Sequence, residues 1–288
     1  MKIRNIIFLI ILFVSQFIFS QNLENTKYGT IYKFELKNSP FPHELRKDGH
    51  NYKDQFYSAQ NHYQDSTVLV FIPNYFKLKD SIDFVFYFHG WYNNIDSALI
   101  QFNLIEQFYK SKKNAIFVFP EGPKNSPDSF GGKLEEKNKL SDLVTEIKVE
   151  LNKIFNSQIK IGKITLAGHS GAYRVIAHLL LHGGLTSKVS NVILFDALYA
   201  DIEKFSYWIV HNNGKFINIF TENGGTKSES ENLMMCLEAW NIDFKLITSD
   251  DFSADELKER IIFIKSKLDH NEVIHTKNQF QKFLESSF

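Results

Sequence analysis

The chain has 288 residues, of which 43% are hydrophobic and 28 are phenylalanine. This length and apolar content suffice for a sizeable core, which excludes a disordered chain, a collagen-like repeat and a disulfide-rich miniprotein. The 33 basic residues only balance the 33 acidic residues. Phosphate binding needs a surplus of positive charge, so we expect no nucleic-acid partner.

The first 20 residues have the pattern of a secretory signal peptide. Lys2 and Arg4 precede an apolar run from Ile6 to Phe19, and the small residue Ser20 follows. The run is shorter than the roughly 20 residues that cross a bilayer as a helix, which disfavours the alternative, a permanent membrane anchor. We predict cleavage after Ser20 and an exported protein, periplasmic or secreted, with no membrane span after cleavage.

The remaining residues, 21–288, predict one domain in which strands alternate with helices. Residues 21–66 include an N-terminal extension that fits no assignable pattern. The predicted strands are Thr30–Leu36, Val68–Ile72, Phe84–Phe88, Ala115–Phe119, Lys163–Ala167, Val192–Phe195, Phe216–Phe220, Phe244–Thr248 and Ile261–Lys265. The predicted helices are Ser97–Lys110, Ser141–Phe155, Ala172–His182, Ile202–Val210, Ser230–Trp240 and Lys277–Glu285. This alternation predicts an α/β fold, a mostly parallel central sheet with helices on both faces.

One strand-to-helix junction carries a motif of small residues around a serine. The sequence Gly-His-Ser-Gly-Ala occupies 168–172, between a β-rich run and a helical run. It resembles the nucleophile elbow of the α/β-hydrolase superfamily, Gly-x-Ser-x-Gly, with Ala172 in place of the last glycine. The resemblance implies a single-domain α/β-hydrolase-like fold in which Ser170 is the nucleophile.

A second motif follows the strand Phe84–Phe88, which ends in His89-Gly90. In the superfamily, a His-Gly at this position opens the loop that completes the oxyanion hole. By that resemblance, the backbone amides of Trp91 and Gly171 would stabilise the developing negative oxygen.

A serine nucleophile needs a base, and the base needs a carboxylate. The superfamily order is serine, acid, histidine, and two acids follow later strands. Asp196 directly follows the apolar run ending at Phe195, and Glu222 follows the next strand. We favour Asp196, because an unpaired carboxylate beside so apolar a strand would be costly.

Two histidines, His270 and His275, precede the predicted terminal helix, where the superfamily places its base. The apolar spacing of Phe280 and Phe283 predicts a helix that begins near Thr276. His275 would then lie at the mouth of that helix. His270 would lie in the preceding loop, free to reach both serine and carboxylate, and we favour it as the base.

The sequence gives no sign of a cofactor or a metal. Gly131-Gly132-Lys133 lacks the spacing of a phosphate loop, and His43, His50 and His62 fit no zinc pattern. The loop 121–133 follows a strand, and it either lines the substrate pocket or is a solvated connection.

These residues together predict an exported serine hydrolase that cleaves an ester or amide through an acyl-serine intermediate. Its partner would be a small-molecule or polymer-derived ester or amide. Two alternatives remain open: an amidase or peptidase of the same fold, and a non-catalytic binding protein of the cell envelope.

Overall fold

The computed structural model describes residues 22–287. The predicted signal peptide lies outside these residues. The described part contains twelve strands. They are β1 (Asn22–Thr26), β2 (Gly29–Glu35), β3 (His50–Tyr52), β4 (Gln55–Tyr57), β5 (Thr67–Pro73), β6 (Ser81–Phe88), β7 (Ala115–Pro120), β8 (Lys160–His169), β9 (Val189–Phe195), β10 (Lys215–Thr221), β11 (Lys245–Ile247) and β12 (Ile261–Ser266).

Nine α-helices connect or follow these strands between residues 22 and 287. They are α1 (Ala59–His62), α2 (Ile95–Gln101), α3 (Leu104–Lys110), α4 (Lys139–Phe155), α5 (Tyr173–His182), α6 (Ile202–His211), α7 (Lys227–Ala239), α8 (Glu272–His275) and α9 (Gln279–Ser286). None of the helices in this part of the chain combines the length and apolar character that a bilayer crossing requires.

Ten strands form one sheet in the order β1-β2-β5-β7-β6-β8-β9-β10-β12-β11. Every pairing from β7 across to β11 is parallel, whereas β1, β2 and β5 pair antiparallel along one edge. The chain leaves β6 for β7 on one side and returns to β8 on the other. β6 and β8 therefore flank the point where the strand order reverses, the place where open α/β sheets bind ligands.

The sheet is buried on both faces, as predicted. One face packs against α4, α5, α6 and α7, and the other against α2, α3, α8 and α9. Phenylalanines fill much of the second face, where Phe117, Phe195 and Phe280 meet edge-to-face. The apolar strand runs in the sequence reflect this burial on both faces, because neither face of a central strand contacts water.

The predicted strands of the main sheet are confirmed, but the helix predicted over Ser97–Lys110 is two helices. α2 ends at Gln101, and Asn103 has a left-handed conformation (φ 49°) that turns the chain into α3. Asparagine adopts this conformation more readily than most residues, so Asn103 can separate the two helices within a single turn of chain.

The predicted start of the terminal helix near Thr276 is wrong. Residues Glu272–His275 form the separate helix α8, and α9 begins only at Gln279. Lys277 and Asn278 between them have positive φ angles of 66° and 53°, which interrupt a continuous helix. His275 therefore lies at the end of α8 and not at the mouth of the last helix.

The N-terminal extension is ordered and packs beside the carboxyl ends of the strands. β3 and β4 form a separate hairpin. A small apolar cluster of Phe41, Tyr57, Tyr63 and Phe130 joins the extension to the loop after β7. That loop also reaches the predicted site through Ser129, so the extension packs behind a loop that borders the site.

Candidate active site

Ser170 lies at the turn between β8 and α5, in a short 3₁₀ segment. Its φ angle of 55° is unusual for a residue with a side chain and is typical of a strained nucleophile turn. The turn is tight: a Cβ on Gly168 would lie 2.6 Å from Ile176 Cδ1 and 2.8 Å from Ala172 Cβ. Glycine at 168 therefore leaves room for the side chains of Ala172 and Ile176.

The turn after β6 contacts this elbow directly. A Cβ on Gly90 would lie 2.5 Å from the Cβ of Ser170 and 2.9 Å from the carbonyl oxygen of His169. Only glycine fits this approach. The His-Gly motif and the elbow, which are about 80 residues apart in sequence, therefore form one surface.

The two predicted oxyanion residues, Trp91 and Gly171, are also neighbours. A Cβ on Gly171 would lie 2.7 Å from Trp91 Cδ1, so the indole covers the elbow. The indole N–H donates to Ser129 Oγ at 2.8 Å, which fixes the ring. Among the described residues, the Trp91 backbone amide has no protein acceptor, and this leaves it able to donate to a substrate.

His270 and Asp196 are hydrogen-bonded to each other, with 2.6 Å between Nδ1 and Oδ2. The Asp196 side chain is 1% exposed, whereas that of His270 is 37% exposed. A carboxylate only accepts, so the imidazole Nδ1 carries the hydrogen. The neutral ring therefore has an unprotonated Nε2 that can accept a proton.

The buried carboxylate of Asp196 has further donors. It accepts from the Thr221 amide and hydroxyl, each at 3.0 Å, and from the Thr226 hydroxyl. Burial alone would raise the pKa of Asp196, but the hydrogen bonds from His270, Thr226 and Thr221 outweigh it and lower the pKa. Gly224 makes this cluster possible, because a Cβ there would lie 1.8 Å from Thr221 Oγ1. Asp196 is thus held ionised beside the imidazole.

The alternative candidates for acid and base lie elsewhere. Glu222 is partly exposed and pairs with Lys265 on the neighbouring strand at 3.1 Å. His275 packs near Phe102, with 6.2 Å between ring centroids, and its Nδ1 is buried with no partner among the described residues. Neither residue lines the cavity at Ser170.

A cavity of about 570 Å³ opens at this edge of the sheet. Its walls are aromatic, amide and hydroxyl groups together with the predicted site residues. They are Trp91, Tyr92, Asn93, Gln101, Ser129, His169, Ser170, Gly171, Tyr173, Tyr199, His270 and Asn271. No Asp, Glu, Lys or Arg belongs to this set, so the described walls carry no fixed charge. Ser129 brings the loop 121–133 to the cavity, as one of the two sequence interpretations held.

Tyr199 lines the cavity together with Ser170. Its ring meets the His270 ring edge-on, with 6.3 Å between centroids. Burial, then the charge of Asp196, raise the pKa of Tyr199 to about 12, although its hydrogen bond with Ser170 opposes them. The phenol is therefore a hydrogen-bond donor throughout the physiological pH range.

A second histidine and carboxylate pair lies under the turn after β6. His89 Nε2 is 2.9 Å from Glu121 Oε1, and His89 Nδ1 donates to the Gly90 carbonyl at 2.7 Å. The other oxygen of Glu121 accepts from the Ile95 amide at 3.2 Å. Glu121 therefore fastens both ends of the loop that carries Trp91.

The N-terminal extension contacts Trp91, one of the residues that line the cavity. The Tyr52 ring meets the Trp91 indole edge-on, with 5.2 Å between centroids. Arg46 Nε binds Asp128 Oδ2 at 2.7 Å, and its guanidinium lies over the Phe130 ring at 4.8 Å. These contacts hold the extension against Trp91 and against the loop that follows β7.

A larger cavity, about 980 Å³, lies at the opposite edge of the sheet, between the amino ends of the strands. None of the predicted site residues lines it. Within residues 22–287, no three His, Cys, Asp or Glu side chains converge on a position that could hold a metal ion.

Several residues at the site were not anticipated from the sequence. Thr221 and Thr226 bond Asp196, Tyr199 faces Ser170, and Glu121 supports the loop of Trp91. Thr221 is the final residue of β10, so its position at a strand's carboxyl end was the available signal. The others depend on contacts between segments that are distant in sequence.

No protein-family model matches this chain, and no curated protein sequence matches it. Solved structures do. A ferulic acid esterase aligns with a TM-score of 0.53 at 12% identity, covering 77% of this chain and 93% of that one. A serine-to-alanine variant of the feruloyl esterase module from Clostridium thermocellum, complexed with sinapinate, aligns with a TM-score of 0.53 at 9% identity, covering 77% of this chain and 83% of that one. At such identities the likeness establishes the fold, and the α/β-hydrolase fold implied by the elbow is confirmed.

Proposed function

We propose that this protein is an exported serine esterase that cleaves uncharged carboxylic esters through an acyl-Ser170 intermediate. The observation that carries the proposal is the 2.6 Å contact between His270 Nδ1 and the buried Asp196 carboxylate. His270 and Ser170 line the same cavity. A carboxylate, an imidazole and a strained serine in this arrangement are the groups that acyl transfer requires.

In the proposed reaction, Ser170 Oγ bonds to the ester carbonyl carbon while its proton moves to His270 Nε2. Asp196 stabilises the imidazolium that results. The tetrahedral intermediate then breaks its bond to the alcohol, which takes the proton from Nε2. Water repeats the sequence on the acyl enzyme: Nε2 accepts its proton, the acid departs, and Ser170 recovers its hydrogen.

The negative oxygen of the tetrahedral intermediate would bind the amides of Trp91 and Gly171. The contact of the Trp91 indole with Gly171 brings these two residues together at the elbow. Fixed donors of this kind typically lower the activation barrier by about 3 kcal/mol each. The support that Glu121 gives to the Trp91 loop preorganises one of them.

The cavity walls favour an uncharged substrate. Aromatic rings and neutral amide or hydroxyl groups surround Ser170, and the described walls carry no acidic side chain, lysine or arginine. A charged acyl group would lose hydration there without gaining a counterion. The two aligned structures are named as esterases, which favours esters over amides.

The test uses p-nitrophenyl acetate and butyrate with the protein starting at Gln21, its Ser170→Ala variant and a control, Ser228→Ala. Ser228 is an exposed serine on α7, far along the chain from the elbow. We expect hydrolysis by the parent and the control. The Ser170→Ala variant should lose about 10⁴-fold or more in kcat. Equal activity of Ser170→Ala and the parent would refute the proposal, and a folded parent inactive on all esters and unreactive toward a fluorophosphonate would favour a binding protein.

The preference for uncharged esters has its own measurement. A hemisuccinate ester of p-nitrophenol carries a carboxylate at a position where butyrate has a methyl group. We expect its kcat/KM to be lower than that of the butyrate by at least about tenfold. Similar values for both esters would show that the cavity does not select against charge.

Export rests on Lys2, Arg4 and the apolar run that follows. We propose that the signal peptide is removed after Ser20, which leaves Gln21 as the first residue of the mature protein. Mass spectrometry of the protein recovered outside the cytoplasm should find this N-terminus. A retained Met1 would contradict it.

A further inference from the structure

His169, the residue before the nucleophile, has no part in the reaction described above, yet it is 3% exposed and lies between the elbow and the base. Its Nε2 is 3.0 Å from the backbone carbonyl oxygen of His270. A carbonyl only accepts, so His169 carries its hydrogen on Nε2 and donates. The elbow thus holds the backbone of the very residue whose side chain would accept the Ser170 proton.

The His169 ring also packs against the His270 ring. Their centroids are 4.5 Å apart at an interplanar angle of 34°. Phe102, the residue after α2, also meets the His169 ring edge-on, with 5.2 Å between centroids. These ring contacts restrict the His169 side chain, which in turn limits the orientations open to the His270 imidazole.

His169 is suited to this position because it stays neutral. Burial first, and then the nearby His270, lower its pKa to about 3, although its hydrogen bond to the His270 carbonyl and the charge of Asp196 oppose this. His89 contributes further in the lowering direction. A cation at 169 would repel the imidazolium that forms at His270 during acyl transfer. A neutral donor holds the loop without that repulsion.

We propose that His169 is a positioning residue for His270: its Nε2–H fixes the backbone of the base, and its ring fixes the orientation of the imidazole. The inference rests on the proposed function. His270 lies in a short loop between β12 and α8, and a loop residue needs such restraint to hold hydrogen-bonding geometry at both ring nitrogens. Small misplacements of a catalytic group can reduce the rate by about 10²-fold.

Two variants separate the donor from the ring. His169→Phe keeps an aromatic ring but removes the donor, whereas the side-chain amide of His169→Gln can place an N–H where Nε2 lies. We expect kcat on p-nitrophenyl acetate to fall about 10-fold to 100-fold in His169→Phe, with KM within about threefold of the parent. His169→Gln should recover most of the loss. A matched control is His182→Phe, because His182 Nε2 also donates to a backbone carbonyl, that of Glu135 at 2.7 Å, away from the cavity.

A measurement independent of turnover uses the proton on His270 Nδ1. In the short bond to Asp196 this proton should give a low-field NMR signal, which we expect in the parent and in His182→Phe. It should be broadened or lost in His169→Phe and retained in His169→Gln. If the parent hydrolyses nothing but the signal follows this pattern, the proposed function fails and the positioning role stands. The inference is overturned if His169→Phe keeps both the parent kcat and the parent signal, or if His169→Gln is no better than His169→Phe.

Discussion

Two histidine and carboxylate pairs lie at the same edge of the sheet, and they differ in access to the cavity. His270 and Asp196 are 2.6 Å apart, and His89 and Glu121 are 2.9 Å apart. The His270 side chain is 37% exposed, but that of His89 is only 1% exposed. The chemical groups are alike, so access to the cavity is the difference by which only the His270–Asp196 pair could reach a substrate.

The remaining bonds of the two pairs reinforce this difference. The other donors to Asp196 are protein groups, and His270 uses Nδ1 on Asp196. Among the described residues, His270 Nε2 has no protein partner, and His270 lines the cavity. In the second pair, His89 uses Nδ1 on the Gly90 carbonyl and Nε2 on Glu121, while Glu121 also accepts from Ile95. A fully bonded histidine stabilises a loop. A histidine with one open nitrogen can accept a proton.

The largest expected effect comes from breaking the pair of His270 and Asp196. Asp196→Asn keeps the size of the side chain but removes the charge that stabilises the imidazolium, and we expect kcat to fall by about 10⁴-fold. Glu222→Gln is the matched control, since Glu222 pairs with Lys265 outside the cavity, and its kcat should stay within about twofold of the parent. Steady-state kinetics on p-nitrophenyl acetate measures both. Loss of activity in Glu222→Gln together with an active Asp196→Asn would show that the acid is Glu222, after β10, and not Asp196.

Breaking the pair of His89 and Glu121 should mainly reduce the stability of the fold. Glu121→Ala removes a partner of His89 Nε2 and the acceptor of the Ile95 amide, and so leaves buried polar groups with fewer partners. We expect the free energy of unfolding to fall by about 3 kcal/mol. Glu121→Gln retains an acceptor oxygen and should lose less. Urea unfolding monitored by tryptophan fluorescence measures this, and an unchanged midpoint in Glu121→Ala would show that the pair does not support the loop.

The smallest effect concerns His169, which contacts His270 but is buried, as His89 is. Its pKa in the folded protein is about 3, below the ordinary value of 6.5. The unfolded chain therefore binds more protons between these values, and the free energy of unfolding falls as the pH is lowered from about 6.5. In His169→Phe this dependence should be weaker. Urea unfolding at pH 7, 6 and 5 gives the slope for both proteins, and identical slopes would contradict the low pKa.

Much of the main sheet could be predicted from the sequence, because central strands are buried on both faces. Apolar, β-branched runs such as those of β7 and β9 have no competing interpretation of similar strength. The turn at Ser170 was visible for a local reason, since a serine with a positive φ angle needs small neighbours at 168, 171 and 172. The loop position of His270 followed from the distance between the last strand and the terminal helix.

Other parts of the site depend on contacts that one sequence does not encode locally. Thr226 reaches Asp196 across 30 residues of chain, and Glu121 reaches His89 across 32. The hairpin of β3 and β4 lies beside Trp91 because of a satellite core around Phe130, and composition does not indicate that packing. The helix break at Lys277 escaped prediction because lysine rarely takes a left-handed conformation, so nothing in its identity signals the turn.

The central claim is that Ser170 is activated by His270. The most direct measurement is the rate at which a fluorophosphonate forms an adduct, followed by intact-protein mass spectrometry, in the parent, His270→Gln and His275→Gln. We expect one adduct, on Ser170, with His275→Gln reacting within about threefold of the parent rate and His270→Gln about 10³-fold or more slower. The opposite ranking, with His270→Gln labelled normally and His275→Gln unreactive, would contradict the account.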